Sequence, residues 1–211
     1  MKKLLFWMVL IVGIVALIGS CAKKEESTTA TTTSKTTTTP SGSITMGSYT
    51  ASGVYLSSCF YGSGVSTFVS AGSFPSDAQS FGFAFVVTGD DSFTQETHVF
   101  TDTGCTTSSW VNKLVRDNVT VGTASGSNYP VTYNDAGIRW TVNTTAAETY
   151  LEALYSSSNI DMTVGTEKVI ASSTRTFYYN LWTPSATTIY LASESSEQTP
   201  STAGTLVLTK E

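Results

Sequence analysis

Apolar side chains fall on every second position, again and again, through most of this chain. In "SFGFAFVVTGDDSFTQETHVF", Phe81, Phe83, Phe85 and Val87 alternate, "GDD" at 89–91 turns, and a more polar strand returns. The spacing repeats in "YPVTY" (Tyr129, Val131, Tyr133) and in "GIRWTVN", where Ile138, Trp140 and Val142 interleave with Arg139 and Thr141. It recurs in "TFYYNLW" (Phe177, Tyr179, Leu181), "TTIYLA" (Ile189, Leu191) and "GTLVLTKE" (Leu206, Leu208). Successive side chains of a β-strand point to opposite faces, so each stretch has one apolar and one polar face. Many short strands of this kind, separated by closely spaced turn signals, predict an all-β antiparallel barrel or sandwich of about 8–10 strands, not a parallel sheet. Residues 44–211 are long enough for one such domain with a sizeable core.

One segment departs from this period. In "TTAAETYLEALYSS", Ala147, Tyr150, Leu151, Leu154 and Tyr155 cluster at helical spacing, and Thr145 with Glu148 forms a capping box. The spacing predicts one short helix over 145–156, closing an end or covering a flank of the sheet, with its tyrosines as packing residues. Gly-rich "YGSGVS" lacks the lysine and the strand-to-helix context of a phosphate loop and reads as a loop.

The N-terminal region is of another kind. Residues 1–20 open with Lys2 and Lys3 and continue as an apolar run from Leu4 to Ile18, followed by small residues before Cys21: the layout of an export signal. The run is about 15 residues, short of the roughly 20 that cross a bilayer core, which makes a permanent transmembrane anchor the weaker reading. The ending "LIGSC" resembles the lipobox of bacterial lipoprotein signals, which implies cleavage before Cys21, acylation of that cysteine and attachment to a membrane through its lipid. One acyl chain binds a bilayer only marginally and two or more hold it stably, the physical reason for multiple acylation. Ala22, not an aspartate, follows the cysteine, which in Gram-negative relatives of the signal implies the outer membrane.

Residues 22–43, "AKKEESTTATTTSKTTTTPSGS", hold Thr, Ser and a few charges and no large apolar side chain. Such a segment buries too little surface to offset the entropy of ordering, so 21–43 reads as an acylated cysteine followed by a disordered tether spanning roughly 25 Å. A solvated spacer and an O-glycosylated stalk are both open to this composition. Cleavage removes Lys2 and Lys3 from 11 basic and 16 acidic residues, leaving nine against 16, a net −7. That balance, without a basic patch, excludes nucleic acid as a partner.

With Cys21 assigned to lipid, Cys59 and Cys105 remain, and an exported chain meets an oxidising compartment. A disulfide between them would join "GVYLSSC" to the turn "TDTGC" and, enclosing about 46 residues, contribute up to roughly 4 kcal/mol. The other reading, two free reactive thiols, lacks an activating histidine or basic neighbour.

Gly53, Ser57 and Cys59 in "GVYLSSC", and Asp102 and Cys105 at the end of "FTQETHVFTDTGC", resemble the phrases of small secreted and lipid-anchored lipocalin-like proteins, with Tyr55 in the place usually held by Trp. "YYNLWTPSATTIYLA" is similar to a late hairpin of the same group. The resemblance implies a lipocalin-like barrel and a small hydrophobic ligand inside it.

Catalytic candidates are few. His98 is the sole histidine, sharing a strand face with Thr94, Glu96 and Phe100, and no Gly-x-Ser-x-Gly elbow accompanies it. Neither zinc spacing nor a calcium loop is present, and adjacent Asp90 and Asp91 diverge in a turn, so no enzymatic activity, metal or cofactor is expected. Two functions stay open. In a ligand-binding barrel, Phe83, Phe85, Trp140, Phe177, Tyr179 and Ile189 are the candidate lining residues, or simply a dry core. In a structural or glycan-contacting surface protein, Tyr178, Trp182 and Tyr190 on the opposite face are the candidate contacts. Nothing in the sequence identifies a protein partner.

Overall fold

The computed structural model describes residues 36–170 and 176–211; the segments up to residue 35, expected to be export signal, acylated Cys21 and tether, lie outside these. Twelve strands occupy the described residues: β1 (Ile44–Met46), β2 (Tyr49–Ala51), β3 (Val54–Leu56), β4 (Phe60–Tyr61), β5 (Ser80–Val87), β6 (Phe93–Phe100), β7 (Ser108–Val121), β8 (Tyr129–Val142), β9 (Glu167–Ile170), β10 (Phe177–Pro184), β11 (Thr188–Leu191) and β12 (Leu206–Lys210). Two short helices, α1 (Ser63–Ser70) and α2 (Thr145–Leu154), interrupt them.

Eight strands close an antiparallel barrel in the order β3, β5, β6, β7, β8, β10, β11, β12 and back to β3. Closure leaves the ring without unpaired edges. The last seam is thin: β12 meets β3 through Thr209 opposite Leu56 and Lys210 opposite Tyr55. On its edge away from β7, strand β8 serves two partners, Tyr129–Asn134 pairing with β10 and Ile138–Thr141 with β9. The switch falls at a bulge, where Gly137 sits at φ 147° and its N–H donates to the Asp135 carboxylate at 3.1 Å. Bulges bend a strand and raise its twist, and beyond this one β8 parts from β10 and pairs with β9 while β7 stays paired with β6.

Two apolar cores form on the inner face. The floor core joins Tyr55, Phe85, Val87, Phe93, Tyr133 and Trp182 and is sealed by Ile44, Met46 and Ala51 of the β1–β2 hairpin. That hairpin turns at Gly47, φ 60°, where a Cβ would fall 2.5 Å from the Tyr129 hydroxyl. The helical core joins Phe81, Val99, Trp110, Trp140 and Val142 to Val65 of α1 and Ala147 and Leu151 of α2.

Both helices differ in detail from the sequence reading. Thr144, not Thr145, caps α2, accepting from the Ala147 N–H at 3.1 Å, and the helix ends at Leu154. Ser63–Ser70 is a second helix where "YGSGVS" reads as a loop; Gly62 caps it at φ 87°, and packing of Val65, Phe68 and Val69 on the helical core outweighs the low propensity of its glycine and β-branched residues. Cys59 and Cys105 form a disulfide, Cα atoms 6.0 Å apart, at this end. The Cys105 turn is held by Asp102, whose carboxylate accepts from the Gly104, Thr106 and Thr107 N–H groups and the Thr106 hydroxyl. Burial pushes the Asp102 pKa up, but those donors prevail and hold it down at about 2.

Residues 36–43, expected from the sequence to be the end of a disordered tether, instead run along the outer wall, held by hydrogen bonds to it. The Ser43 N–H donates to Asp90, Ser41 bonds Val87 and Thr88, and the Thr38 hydroxyl donates to the Glu96 carboxylate. Under this strap the outward-facing Glu96 and His98 are buried, 2.6 Å apart.

Candidate functional site

The registers of β5 to β8 stack inward-facing residues in four levels. At the helical end stand Phe81, Val99, Trp110 and Val142; next come Phe83, Thr97, Asn112 and Trp140; then Phe85, Gln95, Leu114 and Ile138; and nearest the floor Val87, Phe93, Arg116 and Asp135. The first and last levels are buried. Between them, Phe83, Thr97, Gln95, Leu114 and Ile138 are partly exposed although they face inward. An inward side chain against a filled interior is shielded from solvent, so these side chains line a partly open cleft on the β5–β8 wall between the two cores. Phe83 packs against both cores and lies at their junction.

The cleft wall is mixed. Phe83, Leu114 and Ile138 are apolar, whereas Gln95, Thr97 and Asn112 carry hydrogen-bonding groups at neighbouring positions of β6 and β7. The Gln95 Oε1 and Asn112 Nδ2 atoms are buried without a hydrogen-bond partner, and Asn112 as a whole is only 5% exposed. Most buried polar atoms in proteins are paired, so two orphans side by side mark this stretch of wall.

Below the cleft lies a charged layer. The Arg116 guanidinium contacts Asp135 at 2.9 Å and Glu194 at 3.0 Å and sits 4.9 Å from the Tyr178 ring centroid. Tyr133 donates its hydroxyl to Glu194 at 2.7 Å, and Asn180 donates to both the Tyr133 hydroxyl and the Ala192 carbonyl at 3.1 Å. Burial would lower the Arg116 pKa, but Glu194 leads a set of neighbours that raise it, so the cation persists. Burial, reinforced by Glu194, pushes the Tyr133 phenol well above its ordinary value. The network pins Glu194, in the β11–β12 connection, over the barrel interior.

Of the lining residues expected from sequence, Phe83 stands in the cleft. Phe85 and Trp140 face inward but are packed dry, and Ile189 belongs to the floor core. Phe177 and Tyr179 correct the expectation: they lie on the outer face, Phe177 45% exposed, their rings 5.0 Å apart. Tyr178 and Trp182, expected outside, are buried at 4% and 0% in the floor core, while Tyr190 faces outward, partly exposed. The cause is register. "FYYNLW" is apolar on both of its alternating sets, and pairing of Tyr178 with Tyr133 and of Trp182 with Tyr129 selects the other face. Gln95, Thr97, Asn112, Leu114, Arg116 and Glu194 went unrecognised, although polar residues alternating in step with Phe93, Val99 and Trp110 are a legible sign of an inner wall that is not wholly dry.

His98 lies on the outer face of β6, away from the cleft, its Nε2 on Glu96. Burial pushes the Glu96 pKa up, but hydrogen bonds from His98 and Thr38 outweigh it and the net shift is downward. Among the described residues no group of three or more His, Cys, Asp or Glu is placed to hold a metal ion. A shallow open groove of about 410 Å³ between Phe74, Pro75 and α2 lies outside the barrel. No family model and no curated protein matches the chain.

Proposed function

We propose that this chain is an envelope lipoprotein, exported on its first 20 residues, acylated at Cys21 and tethered to the outer membrane, whose barrel binds a small hydrophobic molecule without transforming it. The cleft between the two cores carries the ligand-binding part of the reading: five inward-facing side chains partly exposed between dry layers are what a barrel with room for a guest would present. A non-catalytic role accords with the placement of His98 and Asp102, one enclosed with Glu96 outside the barrel, the other engaged in holding a turn. Burial of Tyr178 and Trp182 leaves the surface-contact alternative with Tyr190 alone of its three aromatics.

Native mass spectrometry of the mature chain, purified from the envelope of its own host, tests the binding role. The expected result is a reproducible added mass of a few hundred daltons beyond the lipid on Cys21, lost in Leu114→Trp, which fills the cleft. A bare mass in every preparation overturns it. Fractionation tests the anchor: Cys21→Ser should release the protein from membranes, and unchanged fractionation would refute acylation as the attachment.

A further inference from the structure

We infer that the ligand is amphipathic with an uncharged hydrogen-bonding headgroup (hydroxyl, amide or ester), which docks on Gln95, Thr97 and Asn112 while its apolar part lies on Phe83, Leu114 and Ile138; this rests on the cleft being a ligand site. Three observations lead to it. First, the registers place Thr97 directly across from Asn112, and Gln95 one level below, so their side chains form one polar patch on the inner wall. Second, the patch contains Gln95 Oε1 and Asn112 Nδ2, buried and unpartnered, and a group that pairs with them removes the penalty of leaving them unpaired. A pure hydrocarbon cannot do so.

Third, local charge opposes an anion. Among the described residues, the cation of this layer, Arg116, is already charge-matched by Asp135 at 2.9 Å and Glu194 at 3.0 Å, with one carboxylate in excess. A fatty acid or phosphate headgroup entering above it meets net negative charge in a poorly solvated place. A cationic headgroup finds three of the four carboxylate oxygens already engaged: Glu194 Oε1 by the Tyr133 hydroxyl, Glu194 Oε2 by Arg116, and Asp135 Oδ1 by Arg116 and the Gly137 N–H together. Neutral amide and hydroxyl side chains facing an apolar wall fit an uncharged polar head joined to an apolar body.

The test is a competition assay on the full mature chain with an uncharged apolar dye as reporter and four probes of equal chain length: an alkane, a primary alcohol, a carboxylate and an amine. The alcohol is expected to displace the dye best, and Gln95→Leu and Asn112→Leu each to weaken it by about tenfold while leaving the alkane unchanged or tighter. Thr97→Val, which keeps shape and removes only a hydroxyl, supplies the same comparison should either leucine variant fail to fold. Preference for the carboxylate, the amine or the alkane, or an alcohol affinity indifferent to all three substitutions, overturns the headgroup assignment while the ligand site stands. If the dye and every probe fail to bind, the ligand-binding role falls and the inference with it.

Discussion

Arg116 is where the interior is most sensitive to a single change. Its guanidinium is enclosed by Asp135, Glu194, Tyr133 and Tyr178, so Arg116→Met leaves two carboxylates without their cation. Removing one member of a buried ionic group typically costs about 3–5 kcal/mol, and urea unfolding should show a loss of that size; a loss under about 1 kcal/mol would mean that the carboxylates relax into solvent. Acid sensitivity is set elsewhere. Glu96 and Asp102 both have folded pKa values below their ordinary ones, so each contributes stability that is present above about pH 4 and lost as pH falls through the folded value, about 2 for Asp102. Stability measured from pH 7 down to pH 3 should therefore fall less steeply in Glu96→Gln than in the parent protein, and an unchanged slope would remove Glu96 from the account. At this scale the sequence discloses residue types but not their company: Glu96 and His98 are visibly on one strand face, yet nothing in the chain says that a strap covers them.

Elements were legible where alternation was unambiguous. Ile138 to Val142 separates apolar from polar positions cleanly, and in Phe81 to Val87 the large aromatics mark the inner face although Ala84 and Val86 on the other are apolar and buried as well. Strand β10 is apolar on both sides, so its orientation is decided by β8 across the sheet, information that no local window contains. Helix α1 begins between two glycines and exists because Phe74 and Phe81 offer it a surface, a tertiary cause again outside local sequence. The cleft was hidden for the same reason, since it depends on which residues of four strands share a level. The disulfide acts between elements, tying the segment after β3 to the β6–β7 turn across a sequence separation of 46 residues. On the loop-entropy scale its loss is expected to cost up to about 4 kcal/mol. Cys59→Ser/Cys105→Ser should lower the denaturation midpoint accordingly; a midpoint within error of the parent would show that the turn stays in place through Asp102 alone.

The closed ring depends on the last residues of the chain. Strand β12 pairs with β11 over four positions but meets β3 at two, so the β12–β3 seam is the point at which the barrel most readily opens. Deleting residues 206–211 removes the only strand joining β11 to β3 and takes Leu208 from the floor core. Loss of cooperative thermal unfolding is expected, and a truncated chain that still melted cooperatively near the parent temperature would show that the open sheet is self-sufficient. The other end of the domain has a different property, which appears when the chain is considered under load. A pull at residue 36, directed away from the wall, meets Thr38 on Glu96 first, then Ser41 on Val87 and Thr88, then Ser43 on Asp90, and only afterwards the hairpin that seals the floor. Contacts met in series yield one at a time, each at small force. The strap thus acts as a mechanical fuse, paying out roughly 25 Å of chain before tension reaches the barrel floor.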